Sequence, residues 1–294
     1  MKKLPCLLIL LAALLCGCAP EPAGDIAATT LPVYQFTTRL TAGTPLTVTR
    51  LVTENVSCLH DYTLTVDQMK AIESAQVVVI SGAGLEDFLE DAITSAETVI
   101  DSSTGISLLD GGDHHHHEGD DHEEEHHHHE HDPHLWLSPA CAAEQAKNIC
   151  AGLSAQYPEY REIFEENLAL LLHDLQNLED YGKQQLSHLS NREIITFHDG
   201  FGYLAQAFDL EIVEAIEEES GAEASAKELI HMIEEVRLHE IRAIFVEENG
   251  SGSAASIIAA ETGAKKGTLS MAMSGDDYFA AMYRNIDTLK EALQ

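Results

Sequence analysis

The stretch Asp113–Pro139 reads DHHHHEGDDHEEEHHHHEHDPHLWLSP, and it divides the chain. Its first part carries ten histidines, at His114, His115, His116, His117, His122, His126, His127, His128, His129 and His131, set among acids without a Lys or Arg. Such a segment has no apolar surface to offset the entropy lost on ordering, so it reads as a mobile loop. Imidazole at this density collects metal ions. Its internal position and its interrupting acids set it apart from a purification tag. The second part, Asp132-Pro133-His134-Leu135-Trp136-Leu137-Ser138-Pro139, is apolar enough to fold.

On both sides of this stretch the chain alternates strand and helix at the short spacing of α/β units. On the N-terminal side, strands are expected at Ile26–Thr29, Leu46–Val52, Val77–Ser81 and Thr98–Asp101. Val77–Ser81 is a continuous apolar run, as in a parallel strand buried on both faces. Thr30 is expected to cap a helix with Pro32 in its first turn, and Thr65 to Gln68 forms a capping box. Leu85–Ala92 reads as a further helix. On the C-terminal side, Pro139 to Tyr157 is helical and Pro158 opens a longer helix. Its leucines at 168, 171, 172, 175 and 178 keep helical spacing, and about thirty residues would span on the order of 45 Å. The rhythm then restarts, with strands at Glu193–Phe197, Glu211–Ala215, Ala243–Glu247 and Lys265–Leu269. The expected fold is α/β, with two lobes, each a four-stranded, mainly parallel sheet with flanking helices, joined by one long rigid helix. The expected boundaries are an N-terminal lobe at 25–157 containing the acidic histidine loop at 112–131, a linking helix at 158–190 and a C-terminal lobe at 191–294.

The first residues read as an export leader. Lys2 and Lys3 precede an apolar run, Leu7 to Leu15, that is too short for a stable bilayer-spanning helix. The run ends in Leu15-Cys16-Gly17-Cys18, which resembles a bacterial lipobox, so residues 1–17 are expected to be removed and Cys18 lipidated, with 18–24 as a tether. The formal charge of −34 becomes −36 without Lys2 and Lys3. That balance argues against nucleic acid and anionic headgroups as partners and suits cations as cargo. Cys58, Cys141 and Cys150 remain in the mature chain, so at most one disulfide can form among them. The absence of any CxxC excludes a thiolate zinc knuckle.

This layout resembles the metal-specific solute-binding proteins of ABC importers, the zinc-binding ZnuA/AdcA-like lipoproteins. The residues that carry the resemblance are Thr29-Thr-Leu-Pro-Val-Tyr34, Leu59-His-Asp-Tyr62, the acidic histidine loop, Asp132 to Pro139, Phe197-His-Asp-Gly-Phe-Gly-Tyr203 and Ala224-Ser-Ala226. The resemblance implies a metal held in the cleft between two lobes, with His60, His134 and His198 as ligands. It implies an extracytoplasmic monomer, anchored to the cell membrane by lipid and partnered by an ABC permease. Three neutral imidazoles suit Zn2+, whereas manganese prefers oxygen-rich, higher-coordinate sites. Manganese-selective relatives place a carboxylate where this chain has His198. Several relatives also carry an acidic ligand near Thr268-Leu269-Ser270, where Ser270 stands here. The fourth position is therefore open between water, a carboxylate and a histidine of the loop. Asp199 is expected to orient a ligand ring.

Binding without chemistry is the leading expectation. A zinc-dependent extracytoplasmic hydrolase would also use three ligands and an open position, but no motif supplies its general base. The sequence also admits a manganese-specific binding protein of the same family, or a surface metal buffer. His231 and His239 lie on one helix without HExxH spacing and read as a solvated face.

Overall fold

The computed structural model describes residues 24–54, 56, 59, 62–94, 96–111, 131–215, 225–250 and 252–294. The leader, Cys18, Cys58, His60 and the histidine tract apart from His131 lie outside the described residues. Two four-stranded sheets are present, parallel at every strand pair. The first is built from β1 (Ile26–Ala28), β2 (Val48–Arg50), β3 (Val77–Ile80) and β4 (Val99–Asp101), in the order β2-β1-β3-β4. The second repeats the plan with β5 (Glu193–Thr196), β6 (Glu211–Ala215), β7 (Ala243–Glu247) and β8 (Lys265–Leu269), in the order β6-β5-β7-β8. In each sheet the chain winds outward from an inner strand and then crosses to its other side. That reversal opens a crevice at the carboxyl ends of β1 and β3, and again of β5 and β7, where open α/β sheets receive ligands.

The helices follow from local signals. Helix α1 (Leu31–Leu40) begins after Thr30, but the Thr30 hydroxyl bonds Ser81 Oγ at 2.9 Å and caps nothing. The Thr65–Gln68 capping box is complete at α2 (Val66–Ser74). The helix expected at Leu85–Ala92 is broken into a 3-10 turn, Asp87–Leu89, and a short α3, Glu90–Ile93. The cause is Glu86, whose carboxylate bends back to accept from the Ser81 and Gly82 N–H groups at 2.7 and 2.9 Å. That contact holds the chain in a tight turn. Ser138 caps α4 (Pro139–Gln156) through the Cys141 N–H. Cys141 and Cys150 both lie on α4 and both are free thiols.

After a 3-10 turn at Pro158–Tyr160 comes α5 (Arg161–Leu186), whose 26 residues span roughly 39 Å. It packs against α1 and α4 on one side. On the other it meets α9 (Tyr278–Leu293). Its buried seam is Phe164, Leu171, Leu175, Leu178, Gly182 and Leu186. Gly182 is required for space, since a methyl group there would come within 2.1 Å of the Phe208 ring. The second lobe is completed by α6 (Gly202–Ala207), α7 (Ala226–Leu238), whose Ser225–Glu228 capping box is complete, and α8 (Ser253–Thr262).

The lobes share one apolar cluster that runs from Ile26 and Phe36 through Trp136 to Phe201, Met271 and Tyr278. Residues 271–278, between β8 and α9, form a strap bonded to the first lobe. Trp136 Nε1 donates to Met271 O at 2.7 Å, the Leu31 N–H to Met273 O at 3.2 Å, and Arg50 Nη1 to Gly275 O at 2.7 Å. Gln35 donates to Asp276 O and accepts from the Tyr278 N–H, and Tyr278 Oη donates to Trp136 O. Bonds of this kind are worth about 1 kcal/mol each, and several together tie this edge. The strap therefore ties the two lobes together at this edge.

Candidate metal centre

His134 sits on the turn between the histidine tract and α4. Asp132, two residues earlier, accepts the His134 backbone N–H at 2.9 Å and pairs with the ring Nδ1 at 2.8 Å. Pro133 between them limits the backbone, so the turn and the ring are fixed by one local carboxylate. Both residues are buried. Trp136, fully buried, meets the His134 ring edge-on with centroids 5.5 Å apart.

His198 comes from the other lobe, two residues beyond β5. Its Nδ1 lies 2.8 Å from Glu247 Oε1 at the end of β7. The two meet because β5 and β7 are neighbours in the sheet, with Thr196 opposite Phe245 and the Phe197 N–H bonded to Phe245 O at 2.8 Å. This pair sits at the switch point of the second sheet. Glu247 is buried, the His198 side chain keeps 21% of its exposure, and its Nε2 is buried.

An ionised carboxylate only accepts, so each Nδ1 donates to it, and in a neutral ring Nε2 then carries the lone pair. That is the arrangement in which a histidine serves as a metal ligand, with ring orientation fixed and donor strength raised. The two rings face each other across the lobes, T-shaped, with centroids 5.4 Å apart. The donor set therefore fits a divalent ion that accepts imidazole nitrogen. Phe201 meets His198 edge-on at 6.5 Å, and Asp132 lies against Gly202 of α6, where a methyl group would come within 2.9 Å of Oδ2.

The structure brings together His134 and His198 of the expected ligands. Among the described residues no group of three His, Cys, Asp or Glu side chains suited to a metal is present, and the third expected ligand, His60, lies outside them. Ser270 immediately precedes the strap: its N–H donates to Asn285 Oδ1 at 2.8 Å, Asn285 Nδ2 donates to its carbonyl, and its hydroxyl accepts the Ala272 N–H at 3.2 Å. Glu247, which braces His198, is a residue that sequence reasoning misses. A signal for it exists in the sequence, as an acid closing the apolar strand run Ala243-Ile-Phe-Val at the crevice end. His231 and His239 pair loosely with Glu214, Glu193 and Glu235 at 3.5–3.7 Å, away from this centre. His131 pairs with Asp110 at 3.9 Å where the tract rejoins the fold.

Residues 26–292 match the family described as zinc-uptake complex component A, periplasmic. The chain belongs to this family. It is 34% identical over 307 residues to the zinc-binding lipoprotein AdcA of Streptococcus pneumoniae, covering 99% of this chain and 61% of AdcA. The chain thus spans less than two thirds of the length of that relative. The high-affinity zinc uptake system protein ZnuA of Bacillus subtilis is 31% identical over 280 residues, covering 91% of this chain and 87% of that protein. Among solved structures, one of ZnuA superposes with a TM-score of 0.77 at 27% identity, covering 92% of this chain and 99% of that one. Zn(II)-bound AdcA from S. pneumoniae superposes with a TM-score of 0.76 at 29% identity, covering 91% of this chain and 57% of that one. The two-lobed α/β fold is that of the family.

Proposed function

We propose that the protein captures Zn2+ outside the cytoplasm, in the cleft between its lobes, and delivers it to an ABC-type permease. The observation that carries this reading is the pair of carboxylate-braced imidazoles, one from each lobe, meeting with ring centroids 5.4 Å apart. His134 and His198 supply two nitrogen donors, and His60 is assigned as the third. Three such donors suit the four-coordinate preference of zinc. The names of the family and of its relatives support the same cargo.

The histidine tract serves as an auxiliary collector, binding weakly because exposed imidazoles lose chain entropy on capture. Cys18 is the assigned lipid anchor, and the chain acts as a monomer with lobes at 25–157 and 191–294 joined by a linking helix at 158–190. A hydrolase is disfavoured because the carboxylates that the described residues place against the two rings, Asp132 and Glu247, are both engaged in bracing imidazoles. The test is chelator-competed zinc titration of the purified chain, together with zinc uptake in a strain lacking it. One tight site and a zinc-dependent growth defect are expected. Tight binding without any uptake defect would assign the protein to metal buffering.

A further inference from the structure

Gly200 has no conformational reason to be glycine, since it is not among the residues with left-handed φ. Its reason is space. A methyl group in place of its hydrogen would come within 2.5 Å of His198 Cδ2, 2.7 Å of His198 Nε2 and 2.8 Å of Met271 Cε. The methyl end of Met271 and the donor nitrogen of His198 therefore flank the same small gap. Met271 is 5% exposed, and its backbone is pinned by the Trp136 indole, whose ring also packs on His134. The next residue, Ala272, is held at φ 52°, a left-handed value rare for a residue with a side chain. This turn buries both Met271 and Met273 toward the lobe junction. From the strap, then, it is an apolar thioether that borders His198, while the neighbouring Ser270 hydroxyl is engaged with Ala272.

We propose that Met271 is a specificity-determining residue of the cleft, a wall admitted by Gly200 that closes the flank of His198 to oxygen donors. This rests on the zinc-cleft reading above. Zn2+ is satisfied by few nitrogen donors in a tetrahedral shell, whereas Mn2+ needs an oxygen-rich shell of higher coordination number. An apolar group beside the donor nitrogen leaves the first ion unaffected and denies the second its extra ligands. A flexible thioether suits this role because it conforms to an irregular gap without bringing a charge.

The experiment is competitive titration of Zn2+ and Mn2+ against a chelator on the mature chain, comparing wild type with Met271→Gln, Met271→Glu, Met271→Leu and Gly200→Ala. Melting of each metal-free variant shows whether it folds. Met271→Gln and Met271→Glu are expected to narrow the zinc-to-manganese ratio by roughly tenfold or more, the scale on which groups around a metal site act. Met271→Leu, an apolar wall of similar size, should keep the wild-type ratio. Gly200→Ala should weaken both metals together, because the added methyl displaces the imidazole. If Met271→Gln folds and binds zinc with an unchanged ratio, or Met271→Leu shifts the ratio as far as Met271→Gln, the proposal is wrong. Should Met271→Glu not fold, the neutral Met271→Gln decides. Failure of the zinc cleft itself would look different: wild type would lack a tight zinc site, or His134→Ala and His198→Ala would leave that site intact.

Discussion

The same crevice occurs twice in this molecule, at the carboxyl ends of β1 and β3 and of β5 and β7, and each holds a buried carboxylate. In the first, Glu86 accepts from Thr29 Oγ1 at 2.6 Å and from the Ser81 and Gly82 N–H groups, so these contacts close on the protein itself. In the second, Glu247 turns its oxygen to His198 and orients an imidazole toward the cleft. One carboxylate therefore locks a turn, and the other presents a ligand. The first lobe brings His134 from a loop braced by Asp132. Fold alone does not place the site; what faces the carboxylate does.

This contrast can be broken at four points. The largest effect is expected from His134→Ala or His198→Ala, each of which removes a nitrogen donor from the cleft. Zinc affinity in chelator competition should drop by more than about 100-fold, beyond the range of changes to bracing groups. Next come Glu247→Gln and Asp132→Asn, both inside the range of about 10–100-fold. Glu247→Gln should cost more, because His198 lacks the local turn that holds His134, whereas Asn at 132 can still accept the His134 N–H. Equal losses would mean that the two rings are held alike.

A smaller effect, on stability rather than affinity, is expected from Trp136→Phe. It deletes the donor to Met271 O and leaves a buried carbonyl unpaired, for a loss of about 1–3 kcal/mol in denaturant unfolding. An unchanged midpoint would show that the Trp136–Met271 bond contributes nothing to holding the strap.

The smallest effect on zinc is expected at Glu86. Burial, opposed by its three donors, pushes this carboxyl up to about 7, from an ordinary value of 4.5. The fold thus keeps a proton that the unfolded chain gives up near 4.5. That contribution to stability is fully present below 4.5 and is lost as pH rises through about 7. Glu86→Gln cannot ionise, so the stability difference between wild type and variant should fall steadily across this window. Zinc affinity should not move. A pH-independent difference would show that Glu86 stays ionised in the fold.

Much of this is legible in the sequence, and the divide follows distance along the chain. The parallel strands at Glu211–Ala215 and Ala243–Glu247 follow apolar runs and turn signals, and the capping boxes at Thr65 and Ser225 mark helix starts directly. The brace on His134 lies two residues away, within one motif. The brace on His198 lies on a strand 49 residues later, and only sheet order makes them neighbours. The broken helix after Leu85 is hidden in part for the same reason: Glu86 has ordinary helical propensity, but its carboxylate is engaged by the nearby Ser81 and Gly82 N–H groups and by the distant Thr29. The strap at 271–278 is invisible because its partners, Leu31, Gln35, Arg50 and Trp136, are scattered over the first lobe.

The central claim is that one zinc ion bridges the two lobes through His134 and His198. The most direct measurement is a crystal structure of the zinc-loaded chain with anomalous differences recorded on both sides of the zinc edge. The account predicts a zinc peak about 2.0–2.1 Å from Nε2 of both rings, with Nδ1 still on Asp132 and Glu247. A zinc peak bound to only one of these rings, or found only at the histidine tract, would contradict it.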